Sequence, residues 1–314
     1  MINYRKIAII GCGSVGASIA FSLMQRGLCS ELVLIDANRA KAEGEAMDLS
    51  HGLPYTASMN IHAGNYEEVG DCVLIIITAG AIQKSGETRL DLIDKNVAIL
   101  KNILPNITRQ GFEGMLLIVS NPVDVLTYAA RRISGYPRQR VIGSGTVLDT
   151  ARLKYLLCQQ LRVDSRSVHA VIIGEHGDSE LAVWSGANIS GIDLDHFYEL
   201  RGREDFQSFI KNMYEDVRDS AYEIIERKGA TYYGIAMAVA RITESILKDE
   251  HSVLPVSVVL EGEYGLQGLA LSVPSIVGKE GLETILEIPL SESEQKALYA
   301  SAAQLNEVIH KLSL

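Results

Sequence analysis

The stretch KIAIIGCGSVG, residues 6–16, decides the fold. A short apolar run rich in β-branched residues leads into glycines at positions 11, 13 and 16, and a stretch with the apolar period of a helix follows at once. Glycines in this spacing permit a tight turn, close approach of the backbone to a phosphate, and packing of a helix on a strand. The stretch therefore predicts a strand, a phosphate-binding turn and a helix.

A second strand with an acid at its end completes the predicted βαβ unit. Residues 32–36 read LVLID, and Asp36 follows Gly16 by about the 20 residues at which this motif places a ribose-binding acid. A carboxylate accepts hydrogen bonds from a ribose 2′-hydroxyl and repels a 2′-phosphate. We therefore expect NAD, rather than NADP, as the cofactor.

Later elements continue the alternation of strand and helix. Residues 72–78 (CVLIIIT) and 115–120 (MLLIVS) are continuous apolar runs, which is typical of buried parallel strands. Residues 205–228 predict a long amphipathic helix, and residues 253–260 and 269–277 predict antiparallel strands. A capping box, formed by the serine at 291 and the glutamate at 294, predicts the start of the last helix.

These patterns predict an α/β protein in two parts. The glycines in VIGSGT, residues 141–146, mark the end of the first part. We expect a Rossmann doubly wound parallel sheet that binds NAD in residues 1–145, and a C-terminal mixed α+β substrate domain in residues 146–314.

Composition limits the classes of function. The 314 residues carry a formal charge of -10, with 47% hydrophobic and 22% charged residues, so an ordinary globular protein without nucleic-acid binding is expected. An arginine-rich run, residues 131–140, is interpreted as a solvated surface turn. The four cysteines show no metal-ligand spacing and predict reduced thiols and no metal site. With an early charged N-terminus and only short apolar runs, we expect a cytoplasmic protein without membrane contact.

The run HAVIIGEHGDSE, residues 169–180, presents His176 after a strand-like stretch and a glycine. Imidazole can exchange a proton near neutral pH, as hydride transfer at a carbinol carbon requires. Asp149 either orients this imidazole or forms an i,i+3 ion pair with Arg152, and the sequence leaves both open. Arg152 itself is a candidate clamp for a substrate carboxylate. The alternative class is an NAD-binding protein without turnover.

Two loops add candidates to the same region. AGAIQKSGETR, residues 79–89, predicts a lid whose Arg89 closes over the substrate and polarises its carbonyl. Asn121, in SNPVD, offers an amide to the site or caps the helix that begins near Pro122. Both roles of Asn121 stay open at this point.

Together the blocks GCGSVG, LVLID, TAGAIQKSGETRLDL, VSNPVDVLTY, IGSGTVLDTAR, IIGEHGDSE and KGATYYGIA resemble the lactate and malate dehydrogenase family, in family order and over essentially the whole chain. The resemblance implies that His176 donates and accepts the proton, that Asp149 is its partner, and that Arg152 binds the substrate carboxylate. It also makes Arg89 the lid arginine and Asn121 the active-site amide.

Substrate choice follows from three further positions. The resemblance places Gln83 where malate enzymes carry arginine, Thr231 at the far wall of the pocket and Ile235 beside the nicotinamide. A neutral Gln83 suits the methyl group of pyruvate, whereas the second carboxylate of oxaloacetate needs a cation. We expect pyruvate and L-lactate, with bulkier 2-oxo acids or malate as the alternatives. The predicted cofactor contacts are Gly11, Gly13, Ser14, Val15, Gly16, Asp36, Thr78, Ala79, Gly80, Asn121 and Ile235.

Assembly and regulation are the last expectations. Many bacterial members of the family are tetramers activated by fructose 1,6-bisphosphate, which binds an arginine and a histidine at positions occupied here by Lys154 and His169. The resemblance therefore implies a homotetramer with a phosphate site. Lysine cannot form the planar two-point contact of arginine, so weaker binding is expected.

Overall fold

The structure, a computed structural model, describes residues 3–81 and 89–312. Within these ranges, nine strands form one sheet in the order β14-β13-β12-β6-β5-β4-β1-β2-β3. Two smaller sheets have the orders β11-β10-β7 and β8-β9. The strands are β1 Asn3–Ile10, β2 Glu31–Ile35, β3 Asn60–Ala63, β4 Cys72–Ile77, β5 Met115–Ile118, β6 Val141–Gly143, β7 Val168–His169, β8 Ile172–Ile173, β9 Leu181–Ala182, β10 Asn188–Ile189, β11 Ile192–Asp193, β12 Ser252–Glu261, β13 Gln267–Gly278 and β14 Gly281–Ile285.

Helices separate most of these strands and cover the large sheet. None of the described helices combines the length and the apolar character that a bilayer crossing requires. The helices are α1 Ser14–Arg26, α2 Arg39–Gly52, α3 Arg89–Thr108, α4 Val123–Ser134, α5 Val147–Leu161, α6 Leu194–Leu200, α7 Phe206–Lys228, α8 Tyr233–Lys248 and α9 Glu292–Ile309.

The first part of the chain forms the predicted doubly wound sheet. Strands β3, β2, β1, β4, β5 and β6 lie side by side, and each pair in this series runs parallel. All six residues of β4 and all four of β5 are buried, because helices cover both faces of the sheet. The strand order reverses at β1 and β4, which places the switch point of the fold, where ligands bind, between their carboxyl ends.

Strands from the second part extend this same sheet. β12 lies antiparallel to β6, with Ser257 opposite Gly143, and β13 and β14 follow it, each antiparallel to its neighbour. The predicted antiparallel pair is therefore present. The sequence did not predict that this pair extends the first sheet, because local patterns do not encode which distant strand becomes a neighbour.

The stretch before His176 differs in detail from the single strand that its apolar run suggests. It forms two short strands that join different sheets: β7 pairs with β10, and β8 pairs with β9. A separate apolar cluster packs beneath them, with fully buried Leu157, Val168 and Ile172 among its members. The chain crosses between sheets within a few residues, which brings the following loop over the main sheet.

The arginine-rich run is less solvated than expected. Arg138 Nη1 donates to Glu263 Oε1 at 2.8 Å, and the Arg140 guanidinium donates to the carbonyls of Gly114 and Phe112 at 2.9 and 3.0 Å. Both side chains join the run to elements far away in sequence. The interpretation as a solvated turn is wrong for these two arginines.

The glycine turn joins β1 to α1 under two different constraints. Gly11 has a φ of 103°, a conformation that favours glycine, and a Cβ there would lie 2.6 Å from the Ala79 nitrogen. A Cβ on Gly16 would lie 1.9 Å from the Gly11 oxygen, whereas a Cβ on Gly13 would meet nothing within 4 Å. The lack of a Cβ at Gly11 and Gly16 therefore permits close packing of the backbone, whereas the space around the Gly13 Cα is open.

We expect Gly16→Ala to lower the free energy of unfolding by about 1–3 kcal/mol, because the added methyl overpacks the turn. The better helix propensity of alanine, about 1 kcal/mol, is too small to offset this clash. Urea denaturation measures the effect, with Gly13→Ala as the control that should unfold near the wild-type midpoint. Equal midpoints for the two variants would contradict the packing role of Gly16.

Candidate active site

His176 lies in the loop that follows β8. Its backbone N–H donates to Asp124 Oδ2 at 2.8 Å, and its ring Nδ1 lies 2.5 Å from Asp149 Oδ2. One carboxylate thus holds the main chain of the loop and another holds the ring. Nε2 is the nitrogen left to exchange a proton with a substrate.

Asp149 belongs to the first turn of α5 and is 2% exposed. Its Oδ2 faces His176, while its Oδ1 accepts a hydrogen bond of 2.7 Å from Arg152 Nη1. The two alternatives that the sequence left open are therefore both present in the geometry. One buried carboxylate bridges an imidazole and a guanidinium.

The charges of this group shift its protonation. Burial alone would lower the pKa of His176, but the nearby Asp149 carboxylate, through its charge and its hydrogen bond, outweighs burial and raises that pKa to about 9. Burial likewise opposes ionisation of Asp149, and the His176 and Arg152 charges overcome it and lower the pKa of Asp149. The pair is held as imidazolium and carboxylate near neutral pH.

Glu180 is a third acid in this group, and the sequence analysis did not single it out. It is 5% exposed, and one carboxylate oxygen lies within 4.8 Å of ligand atoms of both Asp149 and His176. Burial, followed by the negative charge of Asp149, raises the pKa of Glu180 to about 8. Its place in HGDSE, four residues after His176, was the available signal.

Asp124 and Asn96 are two further residues that sequence reasoning missed. Asp124 is 1% exposed and accepts hydrogen bonds from the hydroxyls of Ser257 at 2.6 Å and Ser272 at 3.1 Å, besides the His176 N–H. Asn96 Oδ1 accepts from the Ala81 N–H at 2.7 Å, and its Nδ2 donates to the Asn121 carbonyl at 2.8 Å. Both residues fix loops at the carboxyl ends of strands. The SNPVD motif contained Asp124, but only its distant partners reveal its role.

A cavity of about 330 Å³ lies at this group. Leu92 and Ile93 from α3 and Val217 from α7 form apolar walls, and the chemical groups come from loops and from α5. Sequence-predicted residues among the lining are Asn121, Asp149, Arg152 and His176; the others are Pro122, Gly177, Asp178, Glu180, Arg218, Ala221 and Tyr222.

Two predicted residues from the second part of the chain, Thr231 and Ile235, are not among these lining residues. Thr231 lies between α7 and α8, and Ile235 lies in the first turn of α8, partly buried against the main core. Gln83 lies outside the described residues, as does most of the predicted lid. Arg89 is described as the first residue of α3. As for Asn121, no side-chain hydrogen bond caps α4, and the residue contributes to the cavity.

The predicted dinucleotide contacts converge at the switch point. The Cys12 N–H donates to Asp36 Oδ2 at 2.7 Å, and the Thr78 hydroxyl donates to the Gly11 carbonyl at 2.7 Å. The loops after β1, β2 and β4 are thereby tied together. Cys12 itself is buried, and burial raises the pKa of its thiol to about 12, in line with a structural role.

The residues of this turn fit a dinucleotide. The space around the Gly13 Cα is open, so a phosphate can approach the backbone there, and Ser14 and Val15 begin α1, whose first N–H groups lie at the same turn. Ala79 and Gly80 follow β4 beside it, and the Ser120 hydroxyl donates to the Ala79 carbonyl at 2.7 Å. This arrangement matches the phosphate-binding end of a nucleotide fold.

Lys154 and His169 line a separate cavity of about 690 Å³. Thr150, Ser185 and Pro255 are among its other lining residues. Burial lowers the pKa of Lys154 from its ordinary value. The structure thus brings together the two residues that the resemblance paired.

A glycine turn at the carboxyl end of β1, in a chain that also holds a histidine–carboxylate pair at a cavity, is typical of a nicotinamide-dependent dehydrogenase. Two family models match in succession: lactate/malate dehydrogenase, NAD binding domain, over residues 5–143, and lactate/malate dehydrogenase, alpha/beta C-terminal domain, over residues 146–313. The chain belongs to the lactate/malate dehydrogenase family. The predicted family, fold class and NAD cofactor are confirmed.

Individual relatives agree with this assignment. The chain is 51% identical to an L-lactate dehydrogenase of Priestia megaterium, over 96% of this chain and 95% of that protein. It is 49% identical to an L-lactate dehydrogenase of Acetivibrio thermocellus, over 99% and 98%. Among solved structures, a lactate dehydrogenase from a Medee basin deep-sea metagenome superposes with a TM-score of 0.97 at 45% identity, over 100% of both chains. A ligand-bound minor L-lactate dehydrogenase of Enterococcus mundtii gives 0.96 at 43% identity, over 99% of both.

We expect His176 to titrate with a pKa of about 9. In Asp149→Asn that pKa should fall, because burial still opposes the imidazolium and the compensating charge is gone. The folded-state value exceeds the ordinary 6.5, so the stabilisation from this pair is complete below pH 6.5 and is lost as pH rises through 9.

NMR titration of histidine-labelled protein measures both values. Asp164→Asn, which removes a carboxylate paired with Arg166 at the surface, is the control and should leave the His176 titration unchanged. An unshifted His176 in Asp149→Asn would contradict the assigned cause.

Proposed function

We propose that this chain is an L-lactate dehydrogenase that interconverts pyruvate and L-lactate with NADH and NAD. The observation that carries the proposal is the Asp149 carboxylate, shared between His176 Nδ1 at 2.5 Å and Arg152 Nη1 at 2.7 Å. The arrangement combines a proton carrier and a carboxylate binder at one cavity. The named activity of relatives near 50% identity over nearly the whole chain supports the same conclusion.

Each residue has a chemical task in this proposal. Bound NADH supplies the hydride. His176, protonated near neutral pH, gives the proton at Nε2 to the carbonyl oxygen of pyruvate, and it takes that proton back in the reverse direction. Asp149 stabilises the imidazolium and fixes the ring.

The substrate carboxylate is assigned to Arg152. A guanidinium has five N–H donors, so the bond from Nη1 to Asp149 leaves other donors for a carboxylate. Asn121 offers its amide from the opposite loop. Arg89 is proposed to polarise the carbonyl, and Gln83 and Thr231 to select the methyl group, on the strength of the family resemblance.

The cavity favours a small substrate over the bulkier alternative. Its volume of about 330 Å³, as enclosed by the described residues, lies at the low end of the usual range for ligand sites, about 300–1,000 Å³. Steady-state assays with pyruvate, oxaloacetate and a branched 2-oxo acid test the choice directly. The highest kcat/KM should belong to pyruvate, and a higher value for either competitor would overturn the proposed specificity.

We also propose the roles of the two parts of the chain, the cellular location, the metabolic role and the assembly of the enzyme. Residues 1–145 are assigned to cofactor binding and residues 146–314 to the substrate side. The four cysteines are free thiols, which suits a reducing cytoplasm. The reaction would regenerate NAD at the end of fermentative glycolysis, and the enzyme would act as a homotetramer that responds to fructose 1,6-bisphosphate.

The cavity at Lys154 and His169 supports that regulatory proposal. A lysine and a histidine on neighbouring elements can meet two phosphates, although lysine lacks the planar two-point contact of arginine. A protonated imidazole donates from both ring nitrogens, so activation should be stronger at acidic pH.

We expect His176→Ala to lower kcat for pyruvate by about 10² to 10⁴, the usual loss when a general acid is removed. NADH binding, followed by fluorescence, should remain, because the cradle lies on other loops. His196→Ala, at an exposed histidine, is the control and should keep wild-type kinetics. A His176→Ala enzyme with near-normal kcat would make His176 structural and would exclude the proposed mechanism.

Fructose 1,6-bisphosphate should lower the KM for pyruvate more at pH 6 than at pH 8. Lys154→Arg should lower the concentration needed for activation, because a guanidinium meets a phosphate at two points, and Lys154→Ala should raise it. Initial rates over a bisphosphate titration measure both effects. A flat response at both pH values would refute regulation through this cavity.

A further inference from the structure

A third cavity, of about 670 Å³, lies between α4, α9 and the β12–β13 hairpin. We call it the arginine cavity. It shares no lining residue with the active-site cavity or with the cavity at Lys154. Its lining comprises Tyr128, Arg131, Arg132, Val259, Leu260, Glu261, Gln267, Gly268, Asn306, Ile309 and His310.

Two arginines at this cavity lack the partners that neighbouring arginines have. Arg138 and Arg140, a few residues on, pair with carboxylates or main-chain carbonyls. Within residues 3–81 and 89–312, Arg131 and Arg132 form no ion pair and no side-chain hydrogen bond. Arg131 Nε is moreover buried and without a hydrogen-bond partner there. A buried N–H donor without an acceptor is unfavourable, so the protein itself does not satisfy this guanidinium.

Other lining groups define the kind of ligand. His310 is the C-cap residue of α9 and adds a polar ring to the cavity, with its Nδ1 2.7 Å from the Asn306 carbonyl. Glu261 is the acid at the cavity, and it lies 3.5 Å from Arg138 Nε, which offsets its charge. Apolar surface comes from Tyr128, Val259, Leu260 and Ile309. The cavity therefore offers paired guanidinium groups beside an apolar wall.

Interaction with the dipole of α4 is a simpler role for the two arginines, but it explains only part of what is seen at the cavity. Both lie in the last turn of α4, where cations stabilise the negative end of the helix dipole. That role accounts for the sign of the charge. It does not account for a cavity of ligand size at the same place, nor for the buried unpaired Nε of Arg131.

We propose that the arginine cavity binds a small organic dianion, a phosphate monoester or a dicarboxylate attached to a compact apolar body. Each of the two guanidinium groups that line the cavity can form a planar two-point contact with either headgroup. In a chain of net charge -10, such a site gives local attraction for an anion that the rest of the surface repels. The proposal does not depend on the reaction at His176.

Isothermal titration with phenyl phosphate and with phthalate tests the proposal. The protein carries Lys154→Ala and is saturated with NADH and oxamate, an unreactive analogue of pyruvate, so that the Lys154 cavity, the cofactor cradle and the substrate site at Arg152 do not contribute. We expect one dianion per chain to bind at the cavity, and the tighter probe identifies phosphate or carboxylate as the preferred headgroup. Arg131→Gln combined with Arg132→Gln should weaken the affinity for the dianion about tenfold or more, since two charge-assisted contacts are lost.

Arg201→Gln is the matched control, because it removes one charge from an exposed arginine on the other part of the chain and should leave binding unchanged. Phenol, which lacks the charge, should not bind. Should the double glutamine variant fail to fold, Arg131→Lys with Arg132→Lys keeps the charge but loses the planar contact and should still bind more weakly. Equal affinities in the double variant and in Arg201→Gln, tight binding of phenol, or no binding of either dianion would each overturn the proposal.

Discussion

The buried carboxylate of Asp124 is the interaction on which the arrangement of the site depends. It stands at the start of α4 and receives hydrogen bonds from Ser257 on β12, Ser272 on β13 and the backbone of His176. Burial raises the pKa of Asp124 to about 6, so its charge at neutral pH is unfavourable, and these donors stabilise it. The same donors lock the catalytic loop to the strands that join the two parts of the chain.

The contacts of the His176 side chain depend on these hydrogen bonds to Asp124. Once the loop is fixed, His176 meets Asp149, and Asp149 in turn meets Arg152 from the same helix. Burial, and after it the negative charge of Asp149, raises the pKa of Glu180, which lies close to both, to about 8. His176, Asp149, Glu180 and Arg152 therefore form one coupled electrostatic unit rather than independent side chains.

Local features of the site and fold were predictable, and long-range ones were not. The glycine turn, the buried runs of β4 and β5 and the capping box at Ser291 and Glu294 all follow from neighbours in sequence, and the structure contains them. The acceptance of a hydrogen bond by Asp124 from Ser257 depends on a residue 133 positions away. No period or motif encodes such a contact. The same holds for β12 beside β6, and for Asp149, whose two candidate partners turned out to be compatible.

The junction between β6 and β12 also has a consequence for synthesis on the ribosome. β6 ends at Gly143, and the residue opposite, Ser257, emerges more than a hundred residues later. Until then the nascent first half exposes one side of β6 as an unpaired edge, which invites association with other chains. Completion of the sheet thus waits for translation of the second half of the chain.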